Sequence, residues 1–179
     1  MGYGVEDLLK HSLPQGQPFQ EVMRVFLERY EKHLLDKTVL YPSVVAVLDH
    51  FHDKHRVVVT NKLHRLAVAI IRGLGVEDRF DAILGGDSVA DKKPHPALLH
   101  EVLRRFEVPV RRALMVGDGD TEGVAGKRSR RQGKNSKSVQ AVQTVQIVQT
   151  VIGSDSSDVL NVLNDLNQSA AALIFGTAL

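Results

Sequence analysis

The chain has 179 residues, 43% of them apolar and 25% charged, the make-up of an ordinary globular protein of one domain or one and a half. It contains no cysteine, which excludes disulfides, thiolate metal sites and a cysteine nucleophile. A formal charge of +2 is too small to argue for nucleic acid, and the longest apolar runs, such as Ala170 to Phe175, fall far short of the ~20 residues that span a bilayer. No signal-peptide pattern opens the chain, so a cytoplasmic location and no membrane partner are expected.

Residues 1–38 read as helical. In EVMRVFLERYEKHLL the apolar Val22, Phe26, Leu27 and Tyr30 recur at helical spacing with charges between them, and HSLPQGQP before it reads as a loop. From Tyr41 to Val116 helix and strand alternate. Pro42-Ser43 can open a helix through VVAVLDHFHDK. RVVVTNK then gives three β-branched residues and a polar turn, the way a buried parallel strand ends. LHRLAVAIIRGLG is an amphipathic helix stopped at Gly73 or Gly75. DAILGGDS is a short strand, PALLHEVLRRF a helix, and ALMVGDGD a strand with acids at its carboxyl end. Such alternation predicts a parallel sheet covered by helices, with ligands outside the carboxyl ends of the strands. Thr60, Asn61, Asp87, Asp118 and Asp120 all fall at such ends.

After Gly126 the character changes. Lys127, Arg128, Arg130, Arg131, Lys134 and Lys137 crowd one short stretch, and Val-Gln then recurs at a period of three from Val139 to Val148. That period fits neither helix nor strand, so this segment reads as low complexity. DVLNVLNDLNQ resumes helical spacing, and AAALIFGTAL closes the chain as a strand-like run.

The polar strand ends carry the candidate chemistry. Asp118, Asp120 and Glu122 sit on a glycine-flanked turn; hard oxygen ligands there suit Mg²⁺, while helix capping is the plainer alternative. Thr60 and Asn61 can cradle a phosphate oxygen at a helix N-terminus or simply cap that helix. In DKKPHP two prolines fix the loop that presents Lys92 and Lys93, either toward a phosphoryl dianion or merely into solvent. His50, His52 and His55 cluster on what reads as a structural helix.

Taken in order, GYGVEDLLKHSL, LYPSVVAVLDHF, VVVTNK, RFDAILGGDSVADKKPHP and ALMVGDGDTEGVAGKR resemble the haloacid dehalogenase (HAD) superfamily of phosphohydrolases, nearest its phosphoglycolate phosphatase branch, over about residues 1–128. The resemblance implies a HAD-like, Rossmannoid α/β fold, a parallel sheet flanked by helices with a partial helical cap. It implies phosphoryl transfer through an aspartyl-phosphate with Mg²⁺. By the same resemblance Thr60 binds a phosphate oxygen with Asn61 beside it, and Lys93 offsets charge on nucleophile and phosphate. Asp118 would hold Mg²⁺, with Glu122 at the second acidic place. The family opens with a strand ending in Asp-x-Asp-Gly-Thr, whose first aspartate attacks phosphorus. This chain reads as starting inside the cap, without that strand at its N-terminus. ALIFGTAL resembles the strand without its aspartate pair, so a permuted chain is one reading, in which the last strand takes the place of the first.

The expected organisation is a partial cap over 1–38 and a core over 39–152, atypical at 129–151. A C-terminal helix and strand over 153–179 would complete the core. The expected function is Mg²⁺-dependent hydrolysis of a small phosphorylated metabolite. The alternative is a HAD-fold protein that binds phosphate and Mg²⁺ without turnover, since the nucleophile motif is not found. Nucleic-acid binding through residues 127–137 is a third reading, disfavoured because no aromatic residues interleave the cations. Oligomeric state is not legible.

Overall fold

The computed structural model describes residues 4–40, 44–117 and 172–177. Two helices open it, α1 (Val5–Ser12) and α2 (Phe19–Lys32), followed by α3 (Val44–His50), β1 (His55–Thr60), α4 (His64–Gly73), β2 (Ala82–Leu84), α5 (Ala97–Arg105), β3 (Ala113–Gly117) and β4 (Ala172–Thr177). The loop expected between the first two helices is there, and the alternation expected from Tyr41 to Val116 is found wherever that stretch is described. The helix expected through residue 54 stops at His50, after which Phe51 turns inward and is fully buried.

The four strands form one parallel sheet in the order β2-β1-β4-β3. Strand β4, last in the sequence, therefore lies between β1 and β3. The run Val57-Val58-Val59 explains the position of β1: all three side chains are fully buried, as a strand covered on both faces requires. Their alternation divides the core. Val57 and Val59 meet Leu84 with Leu98, Leu99 and Val102 of α5, while Val58 faces Leu48, Ile71 and Val76 on the other side. A third cluster joins Leu34, Leu66 and Ile70 with Leu27 and Tyr30, seating α2 on α4. By area, each fully buried Val, Leu or Ile contributes roughly 1.5–3 kcal/mol, so the two main clusters fix where the strand ends must lie.

Helix α4 ends as its sequence predicts. Gly75 adopts φ 70°, its amide donates to the Arg72 carbonyl at 2.9 Å, and Val76 donates to Ile71 at 3.2 Å. The three histidines of the expected cluster are not on one helix. His50 ends α3, His52 lies in the turn, and His55 begins β1, its ring 4.7 Å from that of Phe106. Their spacing in sequence reflects a helix-to-strand junction, where His50 packs on Phe51 and His55 on Phe106.

Candidate functional site

The buried polar side chains among the described residues are Thr60, Asn61 and Lys93, at 1%, 8% and 1% exposure. Burying an amide, a hydroxyl and an ammonium together is costly unless they are bonded, and here two loops supply the bonds. Asn61 Nδ2 donates to the Lys93 carbonyl at 2.8 Å, and Asn61 Oδ1 accepts from the Lys93 amide at 2.8 Å. The Lys93 ammonium reaches across to donate to the Val59 carbonyl at 3.1 Å. The turn after β1 and the Lys92-Lys93-Pro94 loop are thus locked as one unit. The solvated reading of that loop fails for Lys93: its stem and head are enclosed, while Lys92 turns toward Asp7 of α1.

Reciprocal pairing makes Asn61 the clasp between the loops. Asn61→Ala leaves both a buried N–H and a buried C=O of Lys93 without their partner, each worth ~1–3 kcal/mol. We expect about 2–4 kcal/mol lower stability for this variant, read by urea unfolding at unchanged slope.

Neither Thr60 nor Asn61 caps α4, which corrects the plainer reading of VVVTNK. The residue before the helix is Leu63, and its side chain makes no cap. The helix's first amide, that of His64, instead donates to Asp87 Oδ1 at 2.7 Å from the loop after β2. Thr60 Oγ1 accepts from the Lys62 amide at 3.2 Å, and the Lys62 carbonyl accepts from the Gly86 amide at 2.8 Å. Two glycines allow this approach: a Cβ on Gly86 would stand 2.6 Å from the Asn61 carbonyl oxygen, and one on Gly85 2.2 Å from the His64 amide nitrogen.

Register brings the third junction level with the first two. Thr60 lies opposite Thr177, and Gly176 lies opposite both Val59 and Gly117. The ends of β1, β4 and β3 therefore form one rim, with β1 and β3 about 10 Å apart across the intervening strand. Asp118, Asp120 and Glu122 follow Gly117 directly but lie outside the described residues, as do Lys127 to Lys137. Among the described residues, no group of three or more His, Asp or Glu is gathered for a metal.

Helices α1 and α2 reach the same loops. Lys92 Nζ donates to Asp7 Oδ2 at 2.5 Å, and this bond holds the Asp7 carboxyl below the usual carboxylate range. Lys62 Nζ donates to the Tyr30 hydroxyl at 2.6 Å, and Arg65 pairs with Glu31. Gly4, at φ 97°, runs so close that a Cβ there would sit 3.2 Å from the Asn61 carbonyl oxygen. Sequence reading missed Lys62, Tyr30 and Asp7. The only available signal was the adjacency of Lys62 and Lys92 to the buried residues.

This arrangement, a buried hydroxyl and ammonium on a rim of parallel strand ends, suits a small oxyanion. Comparison with known proteins identifies the family. The family model of haloacid dehalogenase-like hydrolases matches residues 4–129. A phosphoglycolate phosphatase of Colwellia psychrerythraea is 33% identical over 110 residues, covering 60% of this chain and 49% of its own. One from Nitrosococcus oceani is 34% identical over 127 residues, covering 66% and 56%. The chain spans about half the length of these curated relatives. A solved structure from Haemophilus somnus, described as a predicted phosphoglycolate phosphatase, superposes with TM-score 0.64 at 27% identity, covering 71% of this chain and 62% of that one. CbbY from Rhodobacter sphaeroides, solved in complex with phosphate, gives TM-score 0.58 at 26% identity, covering 69% and 59%. With an α/β fold, a parallel sheet and a family match over most of its length, the chain belongs to the haloacid dehalogenase-like hydrolases.

Proposed function

We propose that this chain carries the phosphate-binding half of a Mg²⁺-dependent phosphohydrolase acting on a small phosphorylated metabolite, of the phosphoglycolate phosphatase type. The observation that carries this reading is the joint burial of Thr60, Asn61 and Lys93 at the carboxyl ends of parallel strands. In this role the Thr60 hydroxyl bonds one phosphate oxygen. Lys93 supplies a fixed positive charge where water is excluded, and there it acts more strongly than in bulk solvent. Asn61 keeps Lys93 in place through its two bonds to that residue's backbone. Oxygen donors for Mg²⁺ would come from Asp118 and Glu122, which follow the end of β3 in sequence; when bound, the ion offsets negative charge on the phosphate. Helices α1 and α2 act as the cap side, closing over the strand ends and keeping water out. A cytoplasmic setting fits a chain without cysteine, and among the described residues no helix is long and apolar enough to cross a membrane.

One observation favours a second reading, binding without turnover. The strand between β1 and β3 reads ALIFGT, and its six residues include no carboxylate. An aspartyl-phosphate needs a carboxylate nucleophile, so turnover would require one from elsewhere. A single experiment separates the two. The purified chain is titrated with inorganic phosphate in magnesium buffer by calorimetry, then assayed with p-nitrophenyl phosphate and 2-phosphoglycolate. Binding with magnesium-dependent hydrolysis supports the enzyme, and binding without hydrolysis supports the second reading. Absence of phosphate binding in a folded sample overturns both.

A further inference from the structure

We propose that Lys62 is a positioning residue that couples helix α2 to the Thr60 hydroxyl, so that the seat of α2 on the core sets how tightly the site holds phosphate. The inference rests on the reading that Thr60 contacts phosphate. Lys62 makes three bonds in three directions. Its amide donates to Thr60 Oγ1 at 3.2 Å, and this bond takes one lone pair of the hydroxyl and so limits where its proton can point. Its carbonyl accepts from Gly86 at 2.8 Å, tying the turn to the loop after β2. Its ammonium donates to the Tyr30 hydroxyl at 2.6 Å and stands 4.6 Å from the centre of that ring.

Tyr30 is itself held. Its ring stacks on Phe26 at 5.6 Å and 15°, and it packs against the cluster of Leu34, Leu66 and Ile70. A displacement of α2 therefore moves the phenol, pulls the Lys62 side chain, and disturbs the short turn that orients Thr60. Among the described residues, two other polar links cross this seam, Glu31 with Arg65 and Asp7 with Lys92, and neither bonds Thr60 or Lys62. They can keep the helix pair in place when the Tyr30 link is cut. They therefore serve as controls.

The test measures affinity for inorganic phosphate in magnesium buffer by calorimetry, with thermal unfolding alongside. The variants are Tyr30→Phe, Lys62→Met, the double variant and Glu31→Gln. Tyr30→Phe keeps the ring and its cation contact but removes the acceptor. We expect it to weaken phosphate binding roughly three- to tenfold, the range of coupling through neighbouring side chains. The double variant should be no weaker than Lys62→Met alone, and Glu31→Gln should bind like the parent chain. Altered melting with unchanged affinity in Tyr30→Phe would make the residue purely structural and overturn the proposal, as would strictly additive losses. If Lys62→Met does not fold, Tyr30→Phe against Glu31→Gln decides alone. A parent chain that binds no phosphate fails the underlying reading, and the coupling with it. A parent that binds while Tyr30→Phe is indifferent fails only the coupling.

Discussion

On the proposed function, exchanging Lys93 for methionine is expected to lower affinity for inorganic phosphate by about 100-fold or more, the loss that follows removal of a preorganised charge from an enclosed anion site. Methionine has nearly the length of the lysine stem, so the packing at this 1%-exposed position is kept. Among the described residues, the exchange removes the ammonium's bond to the Val59 carbonyl. We expect a variant that still unfolds cooperatively, with phosphate binding lost in calorimetry. A variant that unfolds while the bound fraction still titrates normally would assign Lys93 to the architecture alone. Binding and stability thus separate at this residue, whereas at Asn61 they fall together, because its amide serves both loops.

Ending the chain at residue 171 abolishes cooperative folding. Strand β4 pairs with β1 along six residues and with β3 along five. Without it β3 has no strand partner among the described residues, and β1 keeps only the three-residue pairing with β2. Each unpaired, buried backbone group costs about 1–3 kcal/mol, against a total stability of about 5–15 kcal/mol for a domain. Calorimetry should record no sharp unfolding transition in the shortened chain, and a sharp one in the full chain. A shortened chain melting at the parental temperature would remove β4 from the centre of the sheet.

Much of the core was legible because its signals are local. Val57-Val58-Val59 could only be a buried strand, and Gly75 could stop a helix within hydrogen-bond reach of its own last turn. Thr60 and Asn61 were singled out at a strand end and Lys93 on a proline-bounded loop, their roles coming from the family resemblance, and the fold closes their distance in sequence. Bonds between remote segments were not legible. Asp87 caps α4 from 23 residues away, and Tyr30 meets Lys62 across 32; no periodicity records such pairings. The position of β4 was suggested by the letters ALIF and GT, yet only the register, with Thr177 opposite Thr60, gives it the middle of the rim. The metal reading of Asp118 and Glu122 stays a matter of sequence, since the described part of β3 ends at Gly117.

The middle strand has a consequence for biosynthesis. Residues 172–177 leave the ribosome after the other strands of the sheet among the described residues. Elongation through residues 118–171 takes on the order of 3–10 seconds at about 5–20 residues per second. For that interval the nascent chain holds two facing edges open with their mate still untranslated, a state prone to intermolecular pairing. Translation speed and chaperone supply should therefore govern its soluble yield more than they do for a protein whose sheet zips outward from its first strand.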